Sequence, residues 1–293
     1  LNVRARLVHS PAWQKTGDQD PAKFLRAWAA WLGGAGLGDE FLSVHGLHAA
    51  LGPDTDDLVR ACAHPYTGWA GFYYDCGLPR ERQIPLLIEA ARLGIRPVSI
   101  SMAFLDIYDA VNKVVPIVDR RWAIQHVGYL TSDQISRIRD LGLVVSPLSI
   151  SNIYKRRGSG GARTSTAPGA RMMPLKSLAT AGVPFGLATD NLPASLFHAI
   201  WHAVARRDQH GAIVGPEEER LSREEALRAA TRGGAFFTFE ENRRGSLAQG
   251  MLADFVVLSD DPMECEEEAI RDIRAEITFL GGKKVYTRTL SAT

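Results

Sequence analysis

Apolar and polar positions follow two rhythms that trade places along this chain. Val3 to Val8 sets apolar residues against arginines at every second position, the period of a half-buried strand. Residues 21–32 carry apolar side chains at helical spacing, and Gly33-Gly34 stops them. Phe41 to His48 predicts a second strand. From Arg82 the alternation becomes regular. It predicts a helix over 83–93 closed by Gly94, a strand over 96–101, a helix over 104–114 and a strand over 122–127. Thr131-Ser132-Asp133-Gln134 opens the next helix, with Gln134 three residues after Thr131 as in a capping box. Leu141-Gly142 closes it, and a strand over 143–148, a helix over 174–181 and a strand over 184–189 follow. Strands alternating with helices of this length predict βαβ units and a parallel sheet.

The last of these strands organises the rest. Val183 to Thr189 is apolar almost throughout, as a strand covered on both faces must be. It ends in Asp190, followed by Asn191-Leu192-Pro193, which cannot extend it. Past a helix at 222–231 the rhythm breaks. Gly245-Ser246-Leu247 predicts a turn, 254–258 a strand, and 273–287 a hairpin about Gly281-Gly282. Residues 1–240 are thus expected to form a (β/α) barrel portion and 241–293 an antiparallel module. Two stretches keep no period. Residues 49–80 hold Trp69, Phe72, Tyr73 and Tyr74 and predict a packed lid or pocket wall; residues 155–171 are a Gly/Ser/Arg loop.

Composition removes several classes of function. With 45% hydrophobic and 23% charged residues and a net charge of +1, there is no electrostatic case for nucleic acid or an anionic membrane. No apolar run is long enough to span a bilayer. The cysteines, Cys62, Cys76 and Cys265, are odd in number and widely spaced, which suits a reducing compartment and predicts a cytoplasmic protein. The chain opens at Leu1 in mid-strand with no initiator Met, so a missing N-terminal segment is expected.

Candidate chemistry gathers at strand ends, where a βα barrel carries it. His126 ends one strand, Asp190 another and His48 a third. Neutral imidazole and carboxylate are ligands that Zn²⁺ accepts, and a shared ion could activate a water. Alone, Asp190 reads equally well as the cap of a helix starting near Ala194. His45, three residues from His48, is expected on the opposite strand face. His198 and His202 stand four apart on a helix, a spacing that can bind zinc, but no Glu follows His198 and an ordinary helix face is the favoured reading. Arg157 and its neighbours in the 155–171 loop could clamp an anionic substrate. No feature argues for Cys62 or Cys76 as a nucleophile.

Three pieces of the chain resemble the amidohydrolase superfamily, in its N-substituted formamide deformylase-like branch (amidohydrolase family 3). They are Gln125-His126-Val127 with Leu130-Thr131; Gly182-Val183-Pro184-Phe185-Gly186-Leu187-Ala188-Thr189-Asp190; and the tail from Gly245-Ser246-Leu247 through Ala253-Asp254-Phe255-Val256-Val257-Leu258 to Gly281-Gly282-Lys283. The resemblance implies an α/β fold: a distorted TIM (β/α)8 barrel lacking its first strands, with the C-terminal part of a small β-sandwich. The family pattern places His-x-His on the first barrel strand, Lys or an acid on the fourth, His on the fifth and sixth, and Asp on the eighth. His126 matches the sixth-strand His and Asp190 the eighth-strand Asp. The chain departs from the pattern elsewhere, with His48 at the Lys position, Ser101 at the fifth-strand His position, and no His-x-His.

What the resemblance implies is a metal-dependent hydrolase of a small-molecule substrate at a non-peptide C–N bond, amide or cyclic amide. His126 and Asp190 are the expected catalytic residues, and His126, Asp190 and His48 the expected ligands of a divalent ion, zinc first, iron or manganese as alternatives. Ser101, Trp69 and Arg157 are the expected substrate contacts. The rival readings are a non-catalytic homologue that only binds, and a metal-dependent decarboxylase using the loop arginines. Nucleic acid and membrane are not expected partners; a homo-oligomer is compatible with the reading.

Overall fold

The computed structural model describes residues 3–9, 20–32, 36–51, 77–149, 153–154, 167–189 and 195–289. The chain divides into two compact units: Val3–His126 with Arg137–Val144, and Val127–Ser136 with Val145–Thr293.

The first unit is a parallel sheet with helices between its strands. Strand β1 (Ala5–His9) is followed by helix α1 (Pro21–Leu32), strand β2 (Leu42–Leu51), helix α2 (Arg80–Arg92), strand β3 (Pro97–Ser99), helix α3 (Phe104–Asn112) and strand β4 (Ala123–Val127). Ala5 lies opposite Leu42, His48 opposite Val98 and Ser99 opposite Ile124, these pairings all parallel, while the short Leu37–Gly38 segment pairs antiparallel with β2. The N–H of Val144, at the start of strand β5 (Val144–Pro147), donates to the Trp122 carbonyl at 2.9 Å. These are the βα units that the hydrophobic rhythm predicts. β3 is shorter than expected: it stops at Ser99, leaving Ser101 in the turn beyond.

Helix α3 shows why the layers hold together. Phe104, Ile107, Tyr108 and Val111 recur at helical spacing and are all buried. Tyr108 meets Phe104 at 5.8 Å and stands edge-on to Trp122 at 5.1 Å between ring centres, an arrangement favoured by the ring quadrupole. Its hydroxyl would be costly to bury unpaired; it donates to the Ala123 carbonyl at 3.3 Å. Glycine is needed where backbones close in. Gly46 has φ 128°, and a Cβ there would overlap the Arg96 carbonyl, the oxygen that accepts the Leu47 N–H at 2.9 Å. Gly142 ends helix α4 (Ser132–Asp140) at φ 61°, and its missing side chain makes room for the Val118 carbonyl.

The second unit holds the start of α4, where the capping box is reciprocal. Thr131 N–H donates to Gln134 Oε1 at 2.9 Å, and Gln134 N–H to Thr131 Oγ1 at 3.2 Å. Val145 and Phe185 form a parallel bridge. The 184–189 segment is therefore parallel as expected, although it pairs over a shorter span. After helix α5 (Leu175–Thr180) come α6 (Leu196–Ala205) and α7 (Arg223–Arg228), the latter opened by a second capping box, Ser222 with Glu225. From Ala229 to Gly233 the helix widens into a π turn, interrupting the helix expected over 222–231. Buried Arg206 donates to the carbonyls of Met172, Met173 and Val214 at 2.9, 2.9 and 3.1 Å. The unit ends in an antiparallel sheet of β6 (Phe255–Leu258), β7 (Ala275–Leu280) and β8 (Lys283–Thr287), with Phe255 stacked on Phe279 at 4.5 Å. The module expected from 241 onward is thus antiparallel, and lies within this unit.

Candidate functional site

His48 and His126 are the expected ligands that the described residues bring together. Asp190, Trp69 and Arg157 lie outside those residues. His48 sits near the carboxyl end of β2, level with Val98 and Ala123, and is 5% exposed. Burial, with a smaller contribution from His126, pushes its imidazole down to about 4. His48 is therefore neutral at pH 7 and holds a lone pair, the state in which imidazole ligates a metal.

Strand alternation by itself would separate this pair. It sets His48, Val98 and Ala123 on one face of the sheet and Ala49, Ser99 and Ile124 on the other. The Ser99 face is the one α3 covers, because the Tyr108 hydroxyl of that helix and the Ser99 hydroxyl both donate to the Ala123 carbonyl at 3.3 Å. Counting on from Ile124, His126 belongs to that covered face, away from His48. Its backbone, however, is left-handed, with φ 57°. That turn breaks the alternation at the last residues of β4, and His126 is near enough to His48 to depress its imidazole. Non-glycine residues adopt this conformation rarely and at a cost, and such strain gathers at functional positions. Apolar and polar periodicity carries no sign of it.

Ser101 has local work. Its Oγ accepts the Ala103 N–H at 3.2 Å and its carbonyl the Phe104 N–H at 3.1 Å, so it shapes the start of α3 just past β3. Gln83, which the sequence did not single out, is fully buried and donates from Nε2 to the Ala50 carbonyl at 2.6 Å. It holds the end of the strand that carries His48. The sign available in the sequence was its place in the first turn of α2 beside apolar Ile84, Leu86 and Leu87. At the other strand of interest, the segment is described as far as Thr189. The N-cap of α6 is Ser195, whose Oγ accepts the Phe197 N–H at 3.3 Å, so the cap role weighed for Asp190 is filled by another residue.

A cavity of about 740 Å³ in the second unit is lined by Val183, Pro184, Phe185, Arg232, Phe236 and Met251 among others. It lies at the amino end of the Val183–Thr189 segment, whereas barrel chemistry occupies the carboxyl end. Among the described residues no group of three or more His, Cys, Asp and Glu side chains could hold a metal, and no helix is long and apolar enough to cross a membrane.

Parallel βα units with two imidazoles near the carboxyl ends of their strands define an α/β protein of barrel type. The amidohydrolase family model matches residues 89–286, and the chain belongs to that family. It is 28% identical over 217 residues to the N-substituted formamide deformylase of Arthrobacter pascens, a match covering 70% of this chain and 39% of that protein. An uncharacterised metal-dependent hydrolase from Pyrococcus furiosus superposes with a TM-score of 0.57 at 24% identity, over 83% of this chain and 49% of that one. A mutant of the atrazine chlorohydrolase TrzN from Arthrobacter aurescens TC1, complexed with zinc and atraton, superposes with a TM-score of 0.59 at 16% identity, over 99% and 63%. At these identities the two structures establish the fold, that of the amidohydrolase barrels. The chain spans well under half the length of the deformylase.

Proposed function

We propose that this chain belongs to a metal-dependent hydrolase that cleaves a non-peptide C–N bond, amide or cyclic amide, in a small molecule. The observation that carries the reading is the His48–His126 pair: two electrostatically coupled imidazoles near parallel strand ends, one held neutral by burial, the other on a left-handed backbone. These residues suit a borderline divalent ion, zinc first, with iron or manganese as alternatives. His126 and His48 would hold it together with Asp190. When bound, the ion supplies Lewis acidity to the water and the scissile carbonyl.

The chain's own residues do the rest of the work in this reading. Asp190, which follows the apolar Val183–Thr189 segment in sequence, takes a proton from the attacking water and returns it to the leaving nitrogen as the C–N bond breaks. His126 orients the carbonyl, while Ser101, Trp69 and Arg157 contact the substrate. Among the described residues the outer edge of β1 pairs with no other strand, and Val3 before it and Leu7 within it are exposed, which supports a further segment closing the sheet there. The odd, scattered cysteines support a cytoplasmic location.

The test is hydrolysis of N-substituted formamides, the deformylase's substrate class, and of cyclic amides, on purified protein whose metal content is measured in the same sample. Turnover that a chelator abolishes and zinc, iron or manganese restores is the expected result. A stable protein without metal and without turnover would identify a binding homologue instead, and release of CO₂ from carboxylated analogues would identify a decarboxylase.

A further inference from the structure

His198 and His202 play no part in that reaction, and the structure does not leave them on an ordinary helix face. Helix α6 buries His202 completely and His198 in part. His202 Nδ1 lies 3.0 Å from Ser149 Oγ, itself buried just past the end of β5. The Tyr154 ring packs against both imidazoles, its centre 5.8 Å from His198 and 5.3 Å from His202. Trp201 packs on His202 at 5.1 Å and carries the Arg271 guanidinium 4.8 Å from its ring centre. Within this shell His202 Nε2 and His198 Nδ1 are both buried, and neither has a hydrogen-bond partner.

Buried polar atoms are almost always satisfied, so two orphaned imidazole nitrogens one helical turn apart call for an occupant they share. The Ser149 contact leaves Nε2 as the free nitrogen of His202. Ligating imidazoles have this form, one nitrogen on the ion and the other tied to an outer partner. Four residues apart on a helix is also the spacing at which two histidines hold one ion. An ion about 2.1 Å from each nitrogen allows the two ring centres to lie up to roughly 6.5 Å apart; here they are 6.0 Å apart. Burial lowers both imidazoles, His202 to about 3, so each is neutral with a lone pair at pH 7.

We propose that His198 and His202 form a second metal site, taking a late divalent transition-metal ion through two imidazoles. It lies wholly in the second unit, whereas His48 and His126 belong to the first. Arg271 and Arg274 oppose a cation there and Asp272 favours one. With two protein ligands the remaining positions fall to water, and the order of affinity puts Cu²⁺ first, above Ni²⁺ and Zn²⁺. Occupancy would clamp the first turn of α6, which follows the Asp190 segment, to the end of β5 through Ser149.

The experiment is Cu²⁺ titration of chelator-stripped protein by equilibrium dialysis, with electron paramagnetic resonance to read nitrogen ligation. A His48→Asn/His126→Asn variant should still take one Cu²⁺ per chain, with two imidazole nitrogens in its hyperfine pattern. His198→Gln, on the half-exposed first turn, should weaken that ion more than tenfold in the same background and remove one equivalent from the otherwise unaltered protein. Ser149→Ala should weaken it about tenfold by releasing the His202 ring. No Cu²⁺ bound by the double variant, or unchanged affinity in His198→Gln in either background, overturns the proposal. Loss of hydrolysis in the double variant bears on the His48–His126 reading alone.

Discussion

At the scale of the residue, His126 joins conformation to chemistry. Its left-handed backbone costs a side chain other than glycine about 1 kcal/mol. Asparagine tolerates that conformation and glycine prefers it. His126→Asn is therefore expected to keep stability close to wild type, and His126→Gly to gain up to about 1 kcal/mol in urea unfolding. Both should lose turnover, with a marked rise in KM because His126 orients the substrate carbonyl. A marked loss of stability in both variants would mean that the imidazole holds the fold and the strain has another cause. Asp190→Asn, nearly isosteric, should also lower turnover by at least ~10²-fold. Metal content must be measured alongside, to separate lost proton transfer from a lost ion. Near wild-type turnover with full metal would rule out the proton-shuttle role.

At the scale of the element, caps and glycines set where each helix and strand begins and ends. Lys176 and the Ser222 backbone N–H hold the Glu225 carboxyl below its ordinary value, the lysine contributing most. A carboxyl lowered on folding stabilises above its unfolded pKa, and that stabilisation fades as pH falls through the folded one. Glutamine can keep the capping box but not the ion pair. Glu225→Gln should thus cost about 0.5 kcal/mol at pH 7 and progressively less as the pH is taken down through the folded pKa, as urea unfolding at neutral and acid pH would show. An equal deficit at both would assign the effect to packing. Gly142→Ala meets both a left-handed backbone and the Val118 carbonyl. It should cost at least about 2 kcal/mol, read as a drop in urea midpoint. A shift under a quarter of that would show that the α4–β5 turn relaxes freely.

At the scale of the whole molecule, a metal that binds only the folded protein stabilises it by mass action, about 2.7 kcal/mol at a hundredfold excess over Kd. Chelated protein should melt lower than zinc-loaded protein and lose turnover in parallel. Melting that ignores the metal would sever the link between ion and fold. Silencing His48 and His126 should remove the zinc effect on activity while a shift on adding Cu²⁺ remains, because the two pairs belong to different units.

Much of this was written in the sequence. Periodicity gave the βα units, since burying one stripe of a helix and both faces of a strand dictates where apolar residues stand. Thr131 and Gln134 announced their capping box, and Gly281-Gly282 the final hairpin, because those contacts are local. The tail and the Gln125-His126-Val127 and Gly182–Asp190 stretches pointed to the amidohydrolase family, which the match over residues 89–286 establishes. What only tertiary structure decided depends on groups distant in the chain. The left-handed turn at His126 departs from the strand period that sequence reasoning must assume. Burial under neighbouring elements makes His48 neutral, and Ser149 and Tyr154 turn His198 and His202 from a helix face into a sequestered imidazole pair. Local rules place side chains on elements; dielectric, orphaned nitrogens and ring-to-ring distances exist only once those elements pack.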